Sequence, residues 1–165
     1  MIKAIFGIGN PGKEYENTYH NVGKNFLKFA TKDFESSDNK NISNIKIFQS
    51  DLFMNESGMF VAKKLRNTNV KTNEIAIAHD DSDLNIGSFK IDFDINSAGH
   101  KGIESIIQNL ETKKFWRIRI GIRPQVETRR MKAEEFVLNN INKEDLKSLE
   151  SVFLEIEKYL ILATS

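Results

Sequence analysis

A chain of 165 residues with 24 Lys and Arg against 23 Asp and Glu carries a net charge of +1 and contains no cysteine. That length predicts a single domain over residues 1–165 with a substantial core. Missing thiols exclude disulfides, cysteine nucleophiles and sulfur-ligated metals, and the near-neutral charge excludes bulk attraction to nucleic acid. The opening Met-Ile-Lys-Ala-Ile-Phe has no signal-peptide stretch, which predicts a cytoplasmic protein, and the greasiest segment, Tyr159 to Ala163, is too short to span a bilayer.

Ile2, Ala4 and Phe6 form a short apolar strand, and Gly7, Gly9 and Gly12 let the backbone leave it through conformations closed to residues with a Cβ. Val22, Phe26, Phe29, Ala30 and Phe34 then recur at helical spacing, so His20 and Asn21 fall at a helix amino end. The dipole there disfavours an imidazolium, which predicts a neutral His20 able to act as a base. A polar loop from Ser36 to Asn44 leads to a strand from Ile45 to Phe48. The next helix buries Gly58, Val61, Ala62 and Leu65, with Asn55 or Ser57 as its cap.

Glu74 to Ala78 read as a buried strand that ends in His79-Asp80-Asp81-Ser82-Asp83, at the sheet edge where open α/β folds bind ligands. Phe89, Ile91 and Phe93 alternate with Lys90 and Asp92 as a one-sided strand, and Ile103, Ile106, Ile107 and Leu110 mark a helix. Trp116, Ile118, Ile120 and Ile122 alternate with Arg117, Arg119, Gly121 and Arg123, which predicts a strand with one wet, basic face able to meet phosphate. Taken alone, the basic run from Lys113 to Lys132 reads most simply as a solvated edge and loop. A last helix starts at about Lys143, capped by Asn142 and buried through Leu146, Leu149, Phe153, Ile156 and Leu160. Strands interleaved with helices predict an α/β fold, a mixed twisted β-sheet covered by helices.

Gly7-Ile-Gly-Asn-Pro-Gly12 fits the dinucleotide-binding fingerprint, yet the helix does not open within the glycines and Asp33, at about the right spacing for the ribose acid, falls inside a helical stripe. His79, Asp80, Asp81 and Asp83 suggest a divalent metal, but adjacent strand residues point to opposite faces. No G-x-S-x-G elbow is present, which leaves water as nucleophile and His20, oriented by a carboxylate such as Asp80, as its base.

Five ordered blocks carry a resemblance to a known family: Gly7 to Gly12 with Tyr15 and Thr18-Tyr-His-Asn21; Phe53-Met-Asn-Glu-Ser-Gly58; His79 to Leu84 with Gly87; Ser97-Ala-Gly-His-Lys-Gly102; and Phe115 to Ile122 with Phe136-Val-Leu138. Over most of its length the chain resembles the bacterial-type peptidyl-tRNA hydrolases. The resemblance implies that fold and the hydrolysis, without cofactor or metal, of the ester joining a peptide to the terminal ribose of tRNA, by a monomer with no membrane partner. By resemblance His20 is the base, Asp80 its orienter, and Asn10 and Asn55 position ester and water. Tyr15, Phe53 and Met54 line the site, and Lys90 and Arg119 clamp the 5′ phosphate of the acceptor stem, so that initiator tRNA is spared.

Two departures stand out. Tyr19 replaces the family's usual arginine before His20, and Gly99-His100-Lys101-Gly102 replaces Gly-Gly-His-Asn-Gly with one glycine fewer. Lys101 cannot accept a hydrogen bond as asparagine does, but it can donate to the ester carbonyl or ribose, which implies altered affinity. Two other readings compete: an RNA-binding relative without turnover, and a metal-dependent phosphoesterase built on the Asp80 cluster.

Overall fold

The computed structural model describes residues 1–34, 45–125 and 129–164; the predicted loop over 36–44 and the side chain of Phe34 lie outside the described residues. Five strands, β1 (Ala4–Gly7), β2 (Lys46–Gln49), β3 (Ile75–Asn85), β4 (Phe89–Phe93) and β5 (Trp116–Arg123), form one sheet in the order β2-β1-β3-β5-β4. Only β4 runs antiparallel to its neighbour; the other pairings are parallel. The helices are α1 (Val22–Phe34), α2 (Ser57–Arg66), α3 (Lys101–Leu110) and α4 (Lys143–Thr164).

A parallel strand covered on both faces needs apolar residues at every position, and β1 is buried throughout. Ile5, Ala76 and Ala78 pack with Val22, Phe26 and Leu27 of α1 and Leu149, Val152, Phe153, Ile156 and Leu160 of α4. Ala4, Phe6, Ile75 and Ile77 face the other way, onto Phe60 and Val61 of α2 and Ile103 and Ile106 of α3. On α4 the buried stripe starts at Leu149, and Leu146 is 45% exposed. Asn142 caps that helix as expected, its Oδ1 accepting from the Asp145 N–H at 2.8 Å. At α2 a 3-10 turn over Met54–Glu56 precedes the helix and makes Glu56 the cap residue, where Asn55 or Ser57 was expected.

The chain leaves β1 through α1 to β2 on one side, and β2 returns through α2, on the opposite face, to β3 on the other side. Connections that part in this way open a crevice at the carboxyl ends of β1 and β3. There β3 does not stop at Ala78, as its apolar run predicts. Its pairing with β5 continues through His79, Asp80 and Asp81, whereas β1 ends at Gly7 opposite Ala78. Asp80 therefore stands past the end of β1, with its flank open to the loop that follows that strand.

Close approach, more than backbone freedom, explains the glycines of that loop. Gly12 alone among Gly7, Gly9 and Gly12 takes a left-handed φ, 104°. A Cβ on Gly7 would lie 2.7 Å from the Gly23 carbonyl oxygen, and one on Gly9 would lie 2.8 Å from Asn21 Oδ1. Gly23 itself brings the first turn of α1 against β3, where a Cβ would sit 2.1 Å from the Ala78 carbonyl oxygen. Gly23→Ala must push α1 off β3, at a cost of about 1–3 kcal/mol. Thermal denaturation should show this as a midpoint lower by about 2–4 °C for each kcal/mol.

Candidate active site

Asp80 is the centre of the crevice. Its Oδ2 accepts from His20 Nδ1 and its Oδ1 from His100 Nε2, each at 2.9 Å. The Ile103 N–H at the start of α3 donates to His100 Nδ1 at 3.3 Å, so that nitrogen carries no proton and the His100 proton sits on Nε2, facing Asp80. With Nδ1 of His20 donating to the carboxylate, the remaining His20 nitrogen, Nε2, is a bare acceptor. His20 forms part of the wall of a cleft of about 400 Å³ that Asn10, Lys101 and the segments 79–83, 97–100, 133–134 and 137–138 also line.

Burial alone would raise the Asp80 carboxyl, but the two imidazoles hold it well below the usual carboxylate range. Burial alone would likewise lower His20, and Lys101 also opposes its protonation, yet the Asp80 charge prevails and lifts the imidazole above its ordinary 6.5. This reverses the prediction from the helix dipole: an ionised partner in contact outweighs the partial charge of a helix end. His79 goes the other way. Fully buried, and beside His100 and Arg117, it is held well below 6.5, with Nδ1–H donating to the Asp80 carbonyl oxygen at 2.6 Å.

The loop carrying Asn10 and His20 is pinned from two sides. Asn21 brackets Asn10, accepting from its N–H at 2.8 Å and donating to its carbonyl at 2.9 Å. The His20 N–H donates to the Val137 carbonyl at 2.8 Å, and the Tyr19 hydroxyl donates to Asp145 Oδ2 at 2.6 Å, which with burial pushes the phenol up to about 12. Tyr19, a departure from the family pattern, thus ties the loop to α4. The other departure places Lys101 in the cleft wall and, for its missing glycine, Ala98 at a left-handed φ of 51° just before Gly99. That is a conformation glycine adopts without strain and alanine seldom does.

Of the residues predicted for the site, Asn10, His20, Asp80 and Lys101 meet in the cleft. Met54 N–H donates to Asn10 Oδ1 at 2.8 Å, which leaves the Asn10 amide N–H groups as its functional end. Met54 itself is a core residue under α3, and Asn55 is exposed outside the cleft. Tyr15 and Phe53 stack edge-on at 6.3 Å as a surface pair, with Phe53 49% exposed. His100 was not assigned a role from sequence. Its signal was the one His20 gave: a lone histidine just before an amphipathic helix.

The predicted wet, basic face of β5 does not exist. Flanked by β3 and β4, this strand is interior, and its arginines hold the cleft's surroundings together. Arg117 is buried and donates to the Asn96 carbonyl at 3.0 Å; burial and Arg119, partly offset by Asp81 and Asp92, lower it to about 10. Arg123 is buried and reaches the carbonyls of Ser82 and Met131, with its guanidinium 5.7 Å from the Phe136 ring centre. Arg119 pairs with Asp81 and Asp92.

His79, Asp80, Asp81 and Asp83 do not converge on a metal site, since Asp81 pairs with Arg119 and Asp83 with Arg130. Among the described residues the group that could hold an ion is His20, Asp80 and His100, whose ligand atoms lie within 4.8 Å of one another. There, both Asp80 oxygens already accept hydrogen bonds from the imidazoles, and an ion would have to displace those protons. Asp80→Asn supplies one acceptor where two donors arrive, so one histidine must change tautomer. With the carboxylate gone, burial and Lys101 remain, and imidazole NMR titration should place His20 below 6.5 in the variant and above it in the wild type.

Comparison with known proteins agrees with this geometry. The family described as "Peptidyl-tRNA hydrolase" matches residues 4–165. A peptidyl-tRNA hydrolase of Mycoplasma mycoides subsp. mycoides is 36% identical over 166 residues, covering 93% of this chain and 88% of its own. One from Persephonella marina is 36% identical over 164 residues, covering 92% and 85%. The crystal structure of the Acinetobacter baumannii peptidyl-tRNA hydrolase superposes with a TM-score of 0.81 at 26% identity, covering 98% of this chain and 89% of that one. A peptidyl-tRNA hydrolase in complex with N-propanol gives a TM-score of 0.84 at 25% identity, covering 98% and 87%. With a cleft built around His20 and Asp80, and near-complete matches to these relatives, the chain belongs to the peptidyl-tRNA hydrolase family.

Proposed function

We propose that this protein hydrolyses the ester between peptide and tRNA by the following route, as a cytoplasmic monomer of one domain whose cleft is built from a single chain. The observation that carries the reading is the bare Nε2 of His20, aimed by a carboxylate that a second histidine also holds. A water donating to His20 Nε2 gives up its proton as its oxygen attacks the ester carbonyl carbon. The Asp80 charge stabilises the imidazolium that results, for the same reason that it lifts the His20 pKa.

The carbonyl oxygen becomes an oxyanion, and the donors near it are the Asn10 amide N–H groups and the Lys101 ammonium, both lining the cleft. Lys101 supplies a full charge where the family's asparagine supplies a dipole. Collapse of the intermediate breaks the bond to the ribose oxygen, which takes the proton from His20. Peptide acid and tRNA hydroxyl leave, and the neutral imidazole is restored.

Asn55, exposed on the 3-10 turn before α2, and the pair Tyr15 and Phe53 would contact substrate from outside the cleft, next to the terminal nucleotide or the first peptide residue. Met54 would act from beneath, by fixing Asn10. Lys90 and Arg119 face the acceptor stem and its 5′ phosphate; contacts of this kind position RNA without reading its sequence.

Release of peptide from N-acylated aminoacyl-tRNA tests the reading. His20→Ala should lower kcat by about 10²- to 10⁴-fold with little change in KM. A variant as fast as wild type overturns the mechanism, and a wild type that binds without releasing peptide identifies the non-catalytic relative. Because the base must be neutral, kcat/KM should rise with pH through an apparent pKa above 6.5 and then level off.

A further inference from the structure

Lys90 and Arg119 stand directly opposite each other in the antiparallel β4–β5 pair, so their side chains leave the same face. Lys90 is exposed and has no hydrogen-bond or ion-pair partner among the described residues. Arg119 is engaged: Nε–H donates to Asp81 Oδ2 at 2.7 Å and Nη1–H to Asp92 Oδ2 at 2.8 Å. Two of its five donor hydrogens are therefore taken, and its charge is shared between two carboxylates.

The two acids are not equivalent. Asp81 has a side-chain exposure of 10% and is held a second time, its Oδ1 accepting from the Asp83 N–H at 2.8 Å. Asp92 has a side-chain exposure of 34%, and Arg119 is its one hydrogen-bond partner among the described residues. Asp92 is thus the carboxylate at the solvent side of the guanidinium, in the path of any anion that approaches it. A terminal phosphate carries close to two negative charges near neutral pH and would meet that carboxylate first.

We propose that Asp92 is a specificity-determining residue that competes with the 5′ phosphate of tRNA for Arg119, so that this enzyme depends only weakly on that phosphate. The proposal rests on the reading of Lys90 and Arg119 as the phosphate-facing pair. Lys90 then makes the first contact, and Arg119 joins only as Asp92 swings away.

The test is hydrolysis of N-acetylaminoacyl-tRNA, with and without its 5′ phosphate, by the full-length wild type, Asp92→Asn and Lys90→Ala at fixed ionic strength. Asp92→Asn keeps shape and removes charge. It should lower KM for the phosphorylated substrate by roughly three- to tenfold and not for the dephosphorylated one, so the ratio of the two KM values rises by that factor. Asp92→Ser should move the ratio the same way and serves if the amide variant folds poorly. An unchanged ratio in both variants, with Lys90→Ala raising KM for the phosphorylated substrate alone, overturns the competition and leaves the phosphate-facing pair standing. Equal KM values for the two substrates in every variant overturn both. A parallel rise of KM for both substrates in Asp92→Asn overturns the proposal in favour of a role in holding Arg119 in place.

Discussion

The carboxylate of Asp80 is buried, and an isolated charge there would cost several kcal/mol in lost hydration. It persists because both oxygens accept a ring N–H at 2.9 Å, one from His20 and one from His100. Charge-assisted hydrogen bonds of this length are among the stronger polar contacts in proteins. They also transmit information: the Ile103 N–H fixes the His100 tautomer, His100 fills one Asp80 oxygen, and the other oxygen can then orient only His20. A backbone amide at the start of α3 in this way aims the His100 proton at Asp80, while the Nδ1 contact of His20 with the other oxygen leaves its Nε2 facing the cleft.

Sheet topology makes that contact possible. The connections that leave β1 on opposite faces open the edge beyond Gly7, while β5 keeps β3 extended past it, so Asp80 projects into a gap that β1 does not fill. Gly23 then allows α1 to lie against β3 closely enough for His20, in the 3-10 turn before the helix, to reach the gap. The hydrogen bonds from Asn21 to Asn10 and from Tyr19 to Asp145 stiffen the loop that carries His20. A neutral base without this support would sit in many orientations, and catalysis depends on one of them.

The arginines of β5 show how charge read along a sequence differs from charge on a surface. Arg117 and Arg123 are buried and reach carbonyls, Arg117 through one nitrogen alone, and Arg119 is matched by Asp81 and Asp92. Of these charged side chains of β3, β4 and β5, Lys90 alone offers an unshared charge to solvent among the described residues. The face that carries Lys90 is therefore much closer to neutral than its lysines and arginines suggest.

The periodicities of the chain determined the class of fold, the strand and helix order and the faces of α1 and α3, because apolar spacing reports burial directly. The glycine loop, the lone His20 before a helix and the acidic run from His79 to Asp83 marked the chemistry, since few folds need those residue types so placed. Only the tertiary structure decided that His100 completes the arrangement of His20 and Asp80, that Met54 belongs to the core and Asn55 to the surface, and that the His20 pKa moves up. Each of those outcomes depends on a partner tens of residues away. Local pattern carries which side of an element is apolar, but the neighbour that a polar atom finds, and hence its charge and its proton, is fixed only when the sheet closes around it.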